Sequence, residues 1–87
     1  MYVIIVYDVA VERVNKVNAF LKTYLNWIQN SVFEGVITRA QLHCIKTGLM
    51  EIVDTQYDAV YFFVIENPHN VRKEIMGVER GSSSRIV

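Results

Sequence analysis

Two uninterrupted apolar runs, Tyr2-Val-Ile-Ile-Val-Tyr7 and Ala59 to Ile65, constrain this chain more than anything else in it. Both are rich in β-branched and aromatic residues, and neither alternates, which marks strands buried on both faces or nearly so. They are far too short to cross a bilayer. The 87 residues make one domain, 1–87, and a chain this short buries only about 60–65% of its unfolded surface. Yet 52% of the residues are hydrophobic. An apolar excess on so small a body favours association with another copy. Any site should then lie on an open face or be completed by a second subunit.

Between the runs the period changes. From Ala10 onward, Val14, Val17, Leu21, Tyr24 and Leu25 share one stripe, with Glu12, Asn15, Lys16 and Thr23 opposite, which predicts a helix. Trp27 to Ile37 alternates and reads as extended chain, with two short strands meeting near Asn30-Ser31. Gly35 there marks a bulge or a close approach. Thr38-Arg-Ala-Gln41 has the form of a capping box, and Leu42, Ile45, Leu49 and Ile52 follow at helical spacing. Gly48 inside this second helix costs about 1 kcal/mol relative to Ala, with no local reason for its presence. Asn67-Pro68 is a turn and Val71 to Val78 a weaker strand. Gly81-Ser-Ser-Ser84 reads as a hinge before an apolar end, Arg85-Ile-Val87. The order predicts an α+β fold with two helices on one face of an antiparallel sheet.

Charge and cysteine usage exclude more than they suggest. Nine basic and nine acidic residues cancel, whereas proteins that coat nucleic acid are usually basic. The distribution is uneven: residues 1–46 hold five basic and three acidic side chains, residues 47–87 four and six. An anionic partner should prefer the first half. Cys44 is alone, so no intrachain disulfide and no thiolate cage for zinc can form. The opening run meets Asp8 too soon for a signal peptide. The expectation is a cytoplasmic protein with no membrane partner.

Asp8 is the foremost candidate for chemistry. It ends an apolar strand, where the chain leaves the sheet and a carboxylate can meet solvent; the alternative is that it caps the first helix. One carboxylate cannot build a two-metal site, but Mg²⁺ usually takes one or two carboxylates with several waters. A two-fold axis near Asp8 would supply the second. Arg13 and Lys16 lie in the first turns of the first helix, where cations oppose its dipole. Lys16 has a structural reading as the i, i+4 partner of Glu12; Arg13 has none so clear. Both are candidates for phosphate contacts. Tyr7, Trp27, Phe33, Tyr57, Tyr61 and Phe62 could stack on bases, although aromatics in apolar strands are mostly core. His43, Cys44 and His69 lack ligand spacing, and no phosphate-loop or hydrolase motif is present.

Taken in order, four pieces resemble the small CRISPR-associated endoribonuclease family, the lesser of the two core spacer-adaptation proteins. They are Tyr2-Val-Ile-Ile-Val-Tyr-Asp8, Arg13-Val14 with Lys16-Val17, Gln29-Asn-Ser-Val-Phe-Glu-Gly35, and Glu74-Ile-Met-Gly77. The resemblance spans almost the whole chain and is poorest at 67–70. It implies a ferredoxin-like fold and a two-fold homodimer in which the C-terminal strand, within 71–87, pairs with the partner's sheet. It also implies a metal-dependent nuclease acting on RNA or DNA, with Mg²⁺ or another divalent cation at Asp8 of both subunits. The basic helix positions map to Arg13 and Lys16 as nucleic-acid contacts, and Tyr7, Ser31 and Phe33 to supporting positions. The implied partner is the CRISPR adaptation integrase, for which such proteins bridge two dimers during spacer insertion. Two other readings stand beside this one. The first is a non-catalytic adaptor that braces the integrase and guides DNA, since no general base accompanies Asp8 in the sequence. The second is a ferredoxin-like metabolite-sensing module, which the neutral charge would suit.

Overall fold

The computed structural model describes residues 1–79. Its elements run β1 (Tyr2–Asp8), α1 (Val11–Leu21), β2 (Asn26–Gln29), β3 (Val32–Val36), α2 (Arg39–Ile52), β4 (Ala59–Asn67) and β5 (Asn70–Gly77). The strands form one sheet in the order β2-β3-β1-β4-β5, every neighbouring pair antiparallel. The two apolar runs are the sheet's central strands, paired from Tyr2 with Ile65 to Asp8 with Ala59.

One face of the sheet is covered. Val3, Ile5 and Tyr7 of β1, Phe33 of β3 and Val60, Phe62 and Val64 of β4 are buried together with Val17 and Leu21 of α1 and Leu42, Ile45 and Leu49 of α2. The predicted helical stripes are therefore the stripes that pack. The other face departs from expectation. Ile4 and Val6, with their register partners Val32, Phe63 and Tyr61, are only half-buried, and Val36 is exposed. The central strands are apolar on both sides, but the chain has helices enough for one. Within the described residues the second side has no layer over it.

Local details follow the sequence closely. Thr38 and Gln41 form the reciprocal capping box, Gln41 N–H on Thr38 Oγ1 at 3.1 Å and Thr38 N–H on Gln41 Oε1 at 2.9 Å. Asn30 makes the β2–β3 turn with a left-handed φ of 44°, a conformation Asn tolerates. Gly35 is a close approach and not a bulge: a Cβ there would lie 3.0 Å from Leu25 Cδ2, and the register shift falls between Trp27 and Gln29. β5 pairs with β4 of its own chain from Asn67–Asn70 to Ala59–Gly77. The strand predicted at 71–78 is thus part of the chain's own sheet. The Gly-Ser hinge and the apolar end lie outside the described residues. No helix among the described residues is long and apolar enough to cross a membrane.

Gly48 acquires its reason from α1. A Cβ at this position would sit 2.1 Å from Phe20 Cζ, so the missing side chain is what lets the Phe20 ring lie across α2. Phe20 is half-buried and meets Tyr24 edge-on at 5.6 Å. Gly48→Ala should therefore destabilise by roughly 1–2 kcal/mol despite the better helix former, because overpacking outweighs propensity. In a Phe20→Ala background the same change should stabilise by about 1 kcal/mol. Urea unfolding of the four proteins in this cycle checks the reversal of sign; a Gly48→Ala effect that is the same in both backgrounds would refute the explanation.

Candidate functional site

β1 delivers Asp8 to the rim of the sheet. Alternation places its side chain with Ile4 and Val6, on the uncovered face, and it is exposed. It does not cap the following helix. The N-cap of α1 is Ala10, which caps without a side-chain hydrogen bond. The described residues of one chain hold no group of three or more His, Cys, Asp or Glu able to enclose a metal. Mg²⁺ usually takes one or two carboxylates with several waters, so Asp8 of one chain could supply only part of such a site.

The residues expected to support Asp8 lie next to one another, with the Tyr7 and Phe33 rings on the covered face. Tyr7 is buried, its hydroxyl donates to Asn18 Oδ1 of α1, and burial raises its phenol pKa. Its ring stacks on Phe33 at 6.4 Å between centroids, and its backbone N–H donates to Ser31 O at 3.1 Å. Tyr7, Ser31 and Phe33 therefore form one unit that holds the C-terminal end of β1. Of the aromatics considered for base stacking, Tyr7, Phe33 and Phe62 are core, whereas Trp27 and Tyr57 are exposed. Trp27 donates its indole N–H to Asn30 O at 3.0 Å, within its own turn.

Arg13 has a structural partner that sequence reading did not find. Its Nε donates to Asp58 Oδ2 at 2.6 Å and its NH2 to Asp58 Oδ1 at 2.9 Å, a two-pronged pair. Asp58 is 1% exposed, and its carboxylate also accepts the N–H of Ala10 at 3.0 Å and of Asp54 at 2.8 Å. Arg13 thus anchors α1 to the start of β4, and its fork is occupied. Glu12 leans to Arg13 NH1 at 3.6 Å and not to Lys16. Lys16 is exposed, without an ion pair among the described residues. The clue available in the sequence was an acidic residue directly before an apolar strand together with an arginine lacking a local partner.

The Arg13 hydrogen bonds, reinforced by the two backbone N–H groups and opposed by burial, hold Asp58 at a pKa of about 2 against an ordinary 3.8. The folded value is the lower one, so this contribution is complete above about pH 4 and is lost as pH falls towards 2. At about 1.4 kcal/mol per pKa unit it amounts to roughly 2 kcal/mol. Unfolding free energies measured between pH 4 and 2 should fall steeply in the wild type and less steeply, by about one proton, in Asp58→Asn. Equal slopes would mean that Asp58 titrates normally.

Elsewhere on the described residues, basic and acidic side chains form a linked network of ion pairs. Arg39 and Arg72 pair with Glu66, and Arg72 and Lys46 with Glu74, around a cleft of about 200 Å³ that Met1, Leu42 and His43 complete. The cations depress both carboxyl pKa values: Arg72 foremost at Glu66, Lys46 foremost at Glu74.

Residues 1–73 match the family model described as CRISPR associated protein Cas2. A relative from Thermodesulfovibrio yellowstonii, "CRISPR-associated endoribonuclease Cas2 3", is 46% identical over 86 residues, 99% of this chain and 98% of its own length. A solved structure described as "Crystal structure of cas2" superposes with a TM-score of 0.74 at 46% identity, covering 95% of this chain and 91% of that one. Streptococcus pyogenes Cas2 superposes at 0.69 with 34% identity, covering 75% of this chain and 86% of the other.

Proposed function

The chain belongs to the CRISPR-associated Cas2 family, and on that premise we propose that it is a divalent-metal-dependent endonuclease of CRISPR adaptation, working as a homodimer. The observation that carries this reading is the position of Asp8 on the same face as the uncovered apolar side chains. Two copies that bury Ile4, Val6 and Phe63 against each other across a two-fold axis running along β1 would bring two Asp8 carboxylates to one rim. Each chain then contributes one ligand, which together with water suits a Mg²⁺-sized cation. The cation would supply Lewis acidity at a phosphate oxygen and a more acidic water. The chain's own contributions are the paired carboxylates, the rigid Tyr7–Ser31–Phe33 support behind them, and Lys16 as an exposed cation near the scissile strand of RNA or DNA. Arg13 serves the fold through Asp58. In adaptation the dimer would engage the integrase, for which its two-fold symmetry makes it a bridge between two like partners.

A second reading is the non-catalytic adaptor. It is favoured by the described residues, which hold no group of three or more His, Cys, Asp or Glu able to hold a metal. The two readings part on one assay. The enzyme predicts cleavage of single-stranded RNA or duplex DNA with Mg²⁺, abolished by EDTA and restored by excess metal. A purified dimer that binds these polymers without cutting either would leave the adaptor. Ile4→Glu tests the dimer itself: by light scattering it should be monomeric, and a variant that stays dimeric would place the interface elsewhere.

A further inference from the structure

Asp58 does more than neutralise Arg13. Its Oδ1 accepts the N–H of Ala10 at 3.0 Å, two residues beyond Asp8, so the side chain clamps the turn by which the chain leaves β1. Its own carbonyl accepts the N–H of Val78 at 2.8 Å, the first residue past β5. The following residue, Ala59, is the register partner of Asp8 on one side and of Gly77 on the other. The exit of β5 is built tightly against this point. Gly77 has a φ of +92°, and a Cβ on it would lie 2.0 Å from the Asp58 carbonyl oxygen. Only glycine allows that approach without moving backbone.

We infer that Asp58 is a positioning residue for Asp8, and that it couples the placement of the Asp8 carboxylate to the direction in which the chain leaves β5. The carboxylate fixes the turn after Asp8, the carbonyl fixes Val78, and both belong to one residue held rigid by Arg13 and the Asp54 N–H. A displacement at either end therefore reaches the other through a single peptide unit. The functional consequence rests on the reading of Asp8 as a metal carboxylate; the coupling itself does not. Residues that hold the surroundings of a metal ligand typically change affinity or activity 10–100-fold when altered.

The first experiment is amide hydrogen exchange on the full chain without metal, comparing wild type, Asp58→Asn and Gly77→Ala. Asp58→Asn should raise exchange at Ala10 and Val78 together, roughly 10-fold or more relative to Ile5 in the middle of β1. Gly77→Ala should raise exchange at Ala10, which it does not touch. A uniform rise at Ile5, Ala10 and Val78 would be ordinary destabilisation and would overturn the coupling, as would a rise at Ala10 alone. Should Gly77→Ala fail to fold, Asp58→Asn carries the comparison. The second experiment is Mn²⁺ binding by folded Asp58→Asn, expected to be about 10-fold weaker than wild type; equal affinity would overturn the positioning of Asp8. A wild type that binds no Mn²⁺ through Asp8 would overturn the metal reading of Asp8, and the exchange data then decide the coupling separately.

Discussion

Asp58→Ala is expected to lower the unfolding free energy by about 3–5 kcal/mol, the largest single-residue effect outside the apolar core. Removing one partner of a buried ion pair leaves the other desolvated and uncompensated, and this is far more damaging than replacing both. Here the loss is compounded. Two backbone N–H groups, on Ala10 and Asp54, lose their acceptor together with the Arg13 guanidinium. For a domain of this size, whose total stability is of order 5–15 kcal/mol, the melting temperature should fall by roughly 15 °C or more. Arg13→Ala should cost nearly as much, and the double variant little more than either single one, because the two side chains act as a unit. Thermal and urea unfolding of the three variants read this directly. Additive losses would show that Arg13 and Asp58 contribute independently, and a loss below 1 kcal/mol for Asp58→Ala would show that the anchor is dispensable.

The second large effect falls on activity and spares the fold. Asp8→Asn should reduce metal-dependent cleavage by roughly 100-fold or more if, as proposed, it removes one of two carboxylates that would hold the cation. Asp8 is exposed, so folding stability should change by no more than about 1 kcal/mol. The metal-free dimer gives a further sign to check. In the proposed dimer two facing carboxylates would repel, so the Asn variant should dimerise at least as tightly as wild type without metal. Added Mg²⁺ should then strengthen the wild-type dimer alone, by mass action on a site only the dimer completes. Full activity in Asp8→Asn, with contaminating nuclease excluded, would remove Asp8 from the mechanism.

These residues also show where sequence reading succeeds and where it stops. The helices were legible because their apolar stripes and the Thr38–Gln41 box are local, carried by neighbours in the chain. The sheet was legible for the same reason, down to the meeting of β2 and β3 near Asn30-Ser31. Its burial was misread on one face: an apolar side chain signals that cover is needed, but not whether the cover belongs to the same chain. The structural partner of Arg13 was missed because it lies 45 residues away. An ion pair across that separation leaves no periodic signal, and a lone arginine on a helix looks alike whether it meets a phosphate or a buried carboxylate. Gly48 and Gly77 belong to the same class, since Phe20 and the Asp58 carbonyl become their neighbours only once the elements pack. The place of Asp8 at the exposed end of β1 was legible because the end of an apolar strand is itself a local feature.

The claim that most needs testing is that the metal site is shared between two chains, and the stoichiometry of Mn²⁺ binding tests it most directly. Titration of the wild-type dimer, followed by calorimetry or by the loss of the free-ion paramagnetic resonance signal, should saturate at one ion for every two chains. Asp8→Asn should show no such site. Saturation at one ion per chain, or an undiminished site in Asp8→Asn, would contradict a centre built from paired Asp8 carboxylates.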